Sequence, residues 1–257
     1  MRIALISDIH GNRLALDAVL RHIEREGVDR IVCLGDIAAL GPDPAGAIAR
    51  VRRHASQCVM GNTDHWLLRP LPGEVPDSSS NPLLNQMTAW AREQLSKRDQ
   101  DYLKNLPLTD SVELDESRRL MVFHGSPPRS FDDVIGGNTP PSQIGTMLAG
   151  HEATIFAGGH THVRMLRQMS QGVIVNPGSV GLPGVGPGDP GLATHEDVHW
   201  ADYATVIWGR GAIRTAFHRV PVSVADVLET GRSSGMPGFD WWASKWQSMA
   251  QKGSPTS

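Results

Sequence analysis

The sequence predicts an α/β protein, and two features of the chain carry that prediction. In the first hundred residues short apolar runs alternate with helical patterns, an order that requires right-handed crossovers and a largely parallel sheet. After residue 110 strand patterns dominate, so a second group of strands follows the first. With 257 residues the chain can bury a full core as one large domain or as two small ones.

The order strand, helix, strand, helix, strand opens the chain. Residues 3–6 form a continuous apolar run, as expected for a strand buried on both faces. Apolar residues then recur at helical spacing, and Gly27 follows as a helix stop. A second helix is predicted to begin at Pro44, since proline suits the first helical position. The predicted strands are 3–6, 31–34 and 58–60, and the second helix covers 44–54.

The middle of the chain changes character. Residues 70–85 are rich in proline and serine and show no period, whereas 86–105 have a helical pattern. We interpret 65–110 as an insertion that lies over the edge of the sheet. A long loop of this kind is either disordered or a functional lid, and the residues leave both readings open.

The second half consists mainly of predicted strands, with one helix at 142–149 and a loop rich in glycine and proline at 182–199. The predicted strands are 112–114, 120–123, 154–157, 165–168, 173–175, 204–208 and 213–218. The domain is expected to cover 1–220, and 221–257 to form a helical tail packed on it. Trp242 and Trp246, one helical turn apart in that tail, cover apolar surface of this chain or form a subunit interface.

Composition excludes several classes of function. A hydrophobic content of 40% and a charged content of 20% are ordinary for a soluble globular protein, and a net charge of −3 gives no footprint for general nucleic-acid binding. No apolar run reaches the ~18 residues of a membrane span, and MRIALISD is a strand broken by Asp8 and not a signal peptide. Cys33 and Cys58 are expected to be buried thiols. We therefore expect a cytoplasmic protein without a membrane partner, and a homo-oligomer is possible.

Five of the predicted strands end on residues that can bind a metal ion. In open α/β sheets such residues meet at the carboxyl ends of neighbouring strands. Glycine stands beside several of them and lets the backbone turn sharply there. Any one of these residues alone is also typical of a turn, a helix cap or the protein surface. The stretch GNTD at 61–64, for instance, is by its local composition typical of a turn. The seven candidate ligands are Asp8, His10, Asp36, Asn62, His124, His160 and His162.

The motifs that hold these residues resemble a known family in their order and spacing. They are DIHGN (8–12), GDIAALGPDP (35–44), GNTD (61–64), FHGSP (123–127), GGHTH (158–162) and NPGSVG (176–181). They are similar to the motifs of the calcineurin-like metallophosphoesterases, and within that superfamily to the small YfcE-type phosphodiesterases. The resemblance runs from residue 1 to about 220. It implies a four-layer αββα sandwich of two mixed β-sheets flanked by helices, with the helical and loop segment 65–110 inserted.

The resemblance also implies a centre of two divalent transition-metal ions. One ion would be held by Asp8, His10, Asp36 and His162, and the other by Asp36, Asn62, His124 and His160, so that Asp36 bridges them. Mixed carboxylate, imidazole and amide ligands suit Mn, Fe, Ni or Zn better than Ca, which prefers oxygen alone. Two ions about 4 Å apart can generate a bridging hydroxide that attacks phosphorus.

Thr63 departs from the pattern of the larger phosphatases, which carry histidine there. Threonine is no proton donor near neutral pH, although its hydroxyl can bind a phosphate oxygen. Substrates with good leaving groups are therefore expected, unless His65 supplies a proton. Asn12, Arg129 and Arg164 are further candidates for contact with phosphate, with a surface role equally open for the two arginines. A supporting turn is expected at Asn176 and Ser179.

The sequence therefore predicts a hydrolase of small phosphoesters or nucleotide-like substrates, with phosphodiesters favoured and the bridging hydroxide as nucleophile. Asp36 and Asn62 would serve in catalysis as well as in metal binding. One alternative is a phosphomonoesterase or protein phosphatase on the same centre. Another is a non-enzymatic scaffold, like the retromer subunit that shares this fold, although such a protein is expected to lose ligands.

Overall fold

In the computed structural model, residues 1–69, 81–127, 133–182 and 198–247 are described, and they form two five-stranded sheets with helices on the outer faces. The strands are β1 Arg2–Ile6, β2 Arg30–Cys33, β3 Gln57–Cys58, β4 Thr109–Glu113, β5 Arg119–Phe123, β6 Ile155–Ala157, β7 Met165–Met169, β8 Gly172–Asn176, β9 Val198–Gly209 and β10 Ala212–Ser223. The helices are α1 Arg13–Glu26, α2 Pro44–His54, α3 Asn62–Leu68, α4 Pro82–Glu93, α5 Lys97–Lys104, α6 Pro141–Met147, α7 Val224–Ser234 and α8 Phe239–Gln247.

The first sheet has the order β10-β9-β1-β2-β3. Its strands β1, β2 and β3 run parallel, as predicted from the alternation of strands and helices, whereas β9 and β10 pair antiparallel. Helix α1 joins β1 to β2. It begins after Asn12, whose side chain accepts a hydrogen bond from the backbone of Ala15, and it ends at Gly27 with φ 61°. The carboxyl ends of β1, β2 and β3 therefore meet at one edge.

The second sheet has the order β4-β5-β6-β8-β7. Strands β5, β6 and β8 run parallel, and β4 and β7 form antiparallel edges. Hence β5 and β6 direct their carboxyl ends the same way, and the loops after them lie side by side.

Apolar side chains fill three layers around the two sheets. The inter-sheet layer, defined here as the buried apolar residues that both sheets direct toward each other, includes Ile3, Leu5, Val32, Leu34, Val59, Val112, Leu120, Val122, Ile155, Ala157, Val175, Ala204 and Val206. A second cluster joins the outer face of the first sheet to most of the helices. A third joins the outer face of the second sheet to α6. This arrangement confirms the predicted αββα sandwich of two mixed sheets.

The tail packs on the same molecule. Trp242 and Trp246 are 0% and 2% exposed and belong to the cluster on the outer face of the first sheet, so they cover this chain's own surface. Strand β10 continues to Ser223, a few residues past the expected end of the domain at 220. The division into 1–220 and 221–257 remains a prediction.

The structure adds local detail at two places. Residues 61–64 begin α3, with Gly61 at the N-cap and Asn62 as the first helical residue. The helical pattern over 86–105 is divided between two helices: α4 ends at Glu93, and Ser96 begins α5 with a capping box that uses Asp99. Most of the predicted loop 182–199 and part of 70–85 lie outside the described residues.

Candidate metal centre

The seven candidate ligands meet where the carboxyl ends of both sheets face each other. Asp8 and His10 follow β1, Asp36 follows β2, and Asn62 comes after β3 at the start of α3. From the second sheet, His124 directly follows β5, while His160 and His162 follow β6. Five of the seven are buried, and His160 and His162 are half-buried at the mouth of the site.

One group of ligand atoms forms around His10 and His162. Their Nε2 atoms lie 3.1 Å apart, and Nε2 of His162 lies 3.4 Å from Oδ1 of Asp8. Oδ2 of Asp36 is 3.6 Å from Nε2 of His10. Two ligands each about 2.1 Å from one ion, at tetrahedral or octahedral angles, are themselves about 3.0–3.4 Å apart, so these separations suit a shared ion.

A second group forms around His124. Its Nε2 atom lies 3.0 Å from Oδ1 of Asn62 and 3.4 Å from Oδ2 of Asp36. The same Asn62 oxygen is 2.8 Å from Nδ1 of His160. Oδ2 of Asp36 thus lies between the two groups. Asp8 also approaches the second group, with its Oδ1 atom 4.0 Å from Nε2 of His124.

Backbone carbonyls fix how the imidazoles point. Nδ1 of His10 lies 3.1 Å from the carbonyl oxygen of Ala39, and Nδ1 of His124 lies 2.7 Å from that of Leu34. An N–H that donates to a carbonyl leaves Nε2 with a lone pair, which is how metal-binding histidines are commonly oriented. The Nε2 atoms of His10 and His162, 3.1 Å apart, can share a proton or bind one cation together. The side chains present therefore fit a metal ion.

The titration behaviour of the cluster reflects burial and the two carboxylates. Burial lowers the pKa of His10 and His160 and lowers that of His162 to about 4, so these rings stay neutral and can act as ligands. Burial alone would lower the pKa of His124, but the neighbouring Asp36 and Asp8 outweigh it and raise the value to about 10. The centre of the cluster therefore favours positive charge.

Left-handed backbone conformations are concentrated at this site. Seven non-glycine residues in the described ranges have positive φ, and five of them are candidate ligands: Asp8, His10, Asp36, His160 and His162. Such conformations cost free energy in non-glycine residues and persist where the surrounding structure holds them. These conformations were not predicted, since aspartate and histidine also occupy ordinary loop conformations.

Asp64 was not among the predicted site residues. It is fully buried, and its two carboxylate oxygens accept hydrogen bonds from the backbone N–H groups of Ile37 and Gly61. Burial and the nearby Asp36 raise the pKa of Asp64 to about 7. The available sequence signal was a carboxylate at the third position of a helix, which is one half of a capping box.

Residues 176–181 form hydrogen bonds to the backbone beside the candidate ligands, in agreement with the predicted supporting turn. Nδ2 of Asn176 donates to the carbonyl oxygen of Gly159, and Oγ of Ser179 donates to that of Asp8. Asn12 also has structural contacts: besides capping α1, its Nδ2 donates to the carbonyl oxygen of Gly181. Both ends of the Asn12 amide are thus engaged within the protein.

The other residues that were predicted to contact substrate lie in different surroundings. The hydroxyl of Thr63 is buried and makes no hydrogen bond to any described residue, while its backbone N–H donates to Asp36. His65 lies one helical turn into α3, and burial lowers its pKa. Arg164 Nε lies 3.5 Å from a carboxylate oxygen of Asp202. Arg129 lies outside the described residues.

The two-sheet α/β sandwich thus carries, at its strand ends, buried carboxylates and imidazoles that could hold metal ions. Comparison with known proteins makes the class specific. Residues 1–196 match the calcineurin-like phosphoesterase superfamily domain, and the chain belongs to that superfamily. The superfamily predicted from the motifs is thereby confirmed.

Individual relatives agree with this assignment. The uncharacterized protein MJ0912 of Methanocaldococcus jannaschii is 28% identical over 202 residues, which cover 70% of this chain and 76% of that protein. A metallophosphoesterase of Sphaerobacter thermophilus is similar in structure at 28% identity and TM-score 0.73, covering 97% of this chain and 100% of that one. The hypothetical protein PH1004 of Pyrococcus horikoshii OT3 has the same fold at 21% identity and TM-score 0.73, over 92% and 94% of the two chains.

Membership of this superfamily supports metal-dependent hydrolysis of phosphoesters as the class of activity. The candidate ligand groups in the described residues agree with a requirement for metal. None of the helices in the described ranges has the length and apolar character needed to cross a bilayer.

Proposed function

We propose that the protein is a phosphodiesterase that uses two divalent transition-metal ions, with Mn, Fe, Ni and Zn as the candidates. The observation that carries this proposal is the pair of ligand groups that share Oδ2 of Asp36, which lies 3.6 Å from His10 and 3.4 Å from His124. One cation would not use all seven side chains. Two cations on either side of a common carboxylate would.

Each ion has a complete set of candidate ligands. Asp8, His10, Asp36 and His162 would hold the first ion, and Asp36, Asn62, His124 and His160 would hold the second. Imidazole, carboxylate and amide groups together suit transition metals better than calcium. Two such ions, when bound, activate water for attack on phosphorus and neutralise the phosphoryl oxygens.

The chain's own residues would hold this arrangement in place. Carbonyl oxygens of Ala39 and Leu34 fix the tautomers of His10 and His124, so that Nε2 of each ring can bind an ion. The backbone N–H of His160 donates to both carboxylate oxygens of Asp8, at 3.2 and 3.1 Å. Since every polar side chain of the cluster serves as a ligand, the attacking oxygen would come from water and not from a side chain.

The preference for diesters rests on the resemblance to the YfcE-type group, and Thr63 bears on the leaving group. A threonine hydroxyl cannot act as a general acid near neutral pH. Both oxygens of the adjacent Asp64 are already bound to backbone N–H groups, so this carboxylate would not orient a proton donor at position 63. Esters with good leaving groups would be favoured.

Metal-dependent turnover of matched esters tests the proposal. The chain is stripped of metal, loaded in turn with each candidate ion, and assayed on bis(4-nitrophenyl) phosphate and 4-nitrophenyl phosphate. We expect two ions per chain and faster turnover of the diester. His162→Gln should abolish both properties, while His151→Gln, a change after α6 and away from the cluster, should leave them intact.

Other outcomes would point to other functions. Faster turnover of the monoester would favour a phosphomonoesterase or protein phosphatase. Absence of both bound metal and turnover would favour a scaffold. A screen of phosphoesters that includes cyclic nucleotides would then define the substrate.

A further inference from the structure

Asp64 connects the two loops that carry Asp36 and Asn62. Its Oδ1 atom accepts a hydrogen bond of 2.9 Å from the backbone N–H of Ile37, which directly follows Asp36. Its Oδ2 atom accepts one of 3.1 Å from the backbone N–H of Gly61, which directly precedes Asn62. A single carboxylate, 0% exposed, therefore joins the segment at Gly61 to the segment at Ile37, which lies 27 residues before Asp64 in the chain.

The contacts around this bridge leave little space for the loops to shift. A Cβ atom on Gly61 would lie 2.1 Å from Oδ1 of Asp36 and 2.3 Å from its backbone nitrogen. The backbone N–H of Thr63 donates to the same Oδ1 atom at 2.9 Å. The carbonyl oxygen of Ile37 in turn accepts a hydrogen bond from Gly11, beside His10. The position of Asp64 is thus coupled to three of the candidate ligands.

We propose that Asp64 is a positioning residue of the metal centre, which sets the separation of Asp36 and Asn62 through the N–H groups of Ile37 and Gly61. The inference rests on the proposed two-metal function of the site. Asp64 is not itself a ligand in this assignment, because both of its oxygens are bound to backbone N–H groups.

Only a carboxylate satisfies both contacts. The two partners are hydrogen-bond donors, and a carboxyl group offers an acceptor oxygen to each of them. Asparagine would turn an N–H₂ group toward one of the N–H groups and leave that group buried without an acceptor, which is costly. Asp64→Asn should therefore separate the loops with little change in side-chain volume.

A role as a simple helix cap makes a different prediction. The contact from the third helical position back to the N-H of Gly61 is part of a capping box, in which glutamate serves as well as aspartate. The contact to Ile37 lies outside that motif. Asp64→Glu should keep the cap, but the longer side chain cannot keep both contacts at their present lengths.

The experiment compares Asp64→Asn and Asp64→Glu with two control variants. Asp29→Asn alters a carboxylate that accepts a backbone hydrogen bond from Arg2, at the amino end of the same sheet. Leu103→Ala truncates a buried residue of α5 and should lower the melting temperature alone. For each protein we would measure Mn²⁺ affinity by calorimetry on the metal-free form, the melting temperature, and kcat and KM at saturating metal.

We expect both Asp64 variants to bind Mn²⁺ about 10- to 100-fold more weakly, the range found for groups that orient metal ligands. Both controls should bind it as the wild type does. The inference is overturned if Asp64→Glu binds Mn²⁺ normally, or if Asp64→Asn lowers only the melting temperature. Should Asp64→Asn not fold, Asp64→Glu decides between the two roles. A wild-type chain that binds no Mn²⁺ or other candidate ion would instead overturn the proposed function.

Discussion

The inter-sheet layer lies on the strands, and the seven candidate ligands follow the carboxyl ends of several of the same strands, yet the two regions differ in side-chain type and in backbone conformation. Strand β1 contributes Ile3 and Leu5 to the layer, both 0% exposed, and is followed by Asp8 and His10. The layer consists of apolar side chains on regular strands. The ligand cluster consists of buried polar side chains, five of them on left-handed backbone.

The difference shows where stability and chemistry are located in this fold. The packed apolar strands are stable, and many other apolar side chains of similar volume would pack there with little loss of stability. A buried cluster of carboxylates and imidazoles on strained backbone is unfavourable by itself and is held by its surroundings. Changes in the layer should therefore alter stability at constant metal affinity. Changes in the cluster should alter metal affinity at nearly constant stability.

Asp36→Asn should have the largest effect on metal binding and turnover, and it should affect the ligand cluster without affecting the inter-sheet layer. An amide retains the shape of the side chain but not the charge that would neutralise two cations. We expect a folded protein whose turnover of a bis-aryl phosphate falls by more than about 100-fold, beyond the loss usual for groups that only orient metal ligands. Metal content and turnover near wild-type values would contradict the two-metal assignment.

Leu5→Ala should affect the layer alone. This side chain is 0% exposed between the sheets, so its truncation should lower the free energy of unfolding by about 2–5 kcal/mol. Urea unfolding measures that loss, and calorimetry on the folded protein should give an unchanged metal affinity. A large loss of affinity would mean that the layer and the cluster are coupled.

Without metal, the joint contribution of His162 and His124 to stability should be greatest near pH 6.5, while the raised pKa of Asp64 adds an opposing contribution that is lost as the pH rises from about 4 toward 7. The pKa of His162 is about 4 in the folded state, below its unfolded value of about 6.5, so its contribution is lost as the pH falls from 6.5 toward 4. The pKa of His124 is about 10, so its contribution is complete below about pH 6.5 and is lost as the pH rises toward 10.

Urea unfolding of the chelated protein between pH 4 and 10 measures both limbs of this profile, and the His162 limb should amount to at most about 3 kcal/mol. His162→Gln should reduce the acid limb. Saturating metal should remove the alkaline limb, because a cation then replaces the proton at His124. An acid limb that His162→Gln leaves unchanged would show that burial perturbs this ring less than the geometry indicates.

Gly61→Ala and Gly27→Ala form a matched pair. A methyl group at position 61 would overlap Asp36, and such overpacking costs about 1–3 kcal/mol and should weaken metal binding. At Gly27, where φ is 61° and no atom lies within 4 Å, the methyl group should cost about 1–2 kcal/mol of backbone strain with metal affinity unchanged. Equal metal affinities in the two variants would show that the loops can adjust.

Thr63→Val should give the smallest change in stability. The hydroxyl group is buried without a hydrogen bond to the described residues, so its replacement by a methyl group should alter the free energy of unfolding by less than about 1 kcal/mol. A fall in turnover without a matching loss of stability would indicate that the hydroxyl group contacts the substrate. A marked loss of stability would reveal an interaction of the hydroxyl within the protein.

Much of the fold could be predicted because its signals are local. Helix α2 covers 44–54 as predicted. Helix α1 was predicted from apolar residues at helical spacing and from Gly27 as its stop. Strands β9 and β10 were predicted too short, at 204–208 and 213–218, because Asp202, Arg219 and Pro221 interrupt the apolar pattern at their missed ends. Pairing along a twelve-residue hairpin stabilises those ends. The start of α3 was missed because Gly61 and Asn62 favour turns as much as helix caps.

The sequence by itself determined which strands exist and which metal-binding side chains follow them, because side-chain period and residue type are properties of neighbouring residues. Only the tertiary structure decided the distances between ligand atoms, the left-handed backbone at five of the ligands, and the bridge from Asp64 to Ile37 and Gly61. These features depend on contacts between residues far apart in the chain, such as the 152 positions between Asp8 and His160. Their free energy arises only when the two sheets have packed together and have excluded water from the polar groups between them.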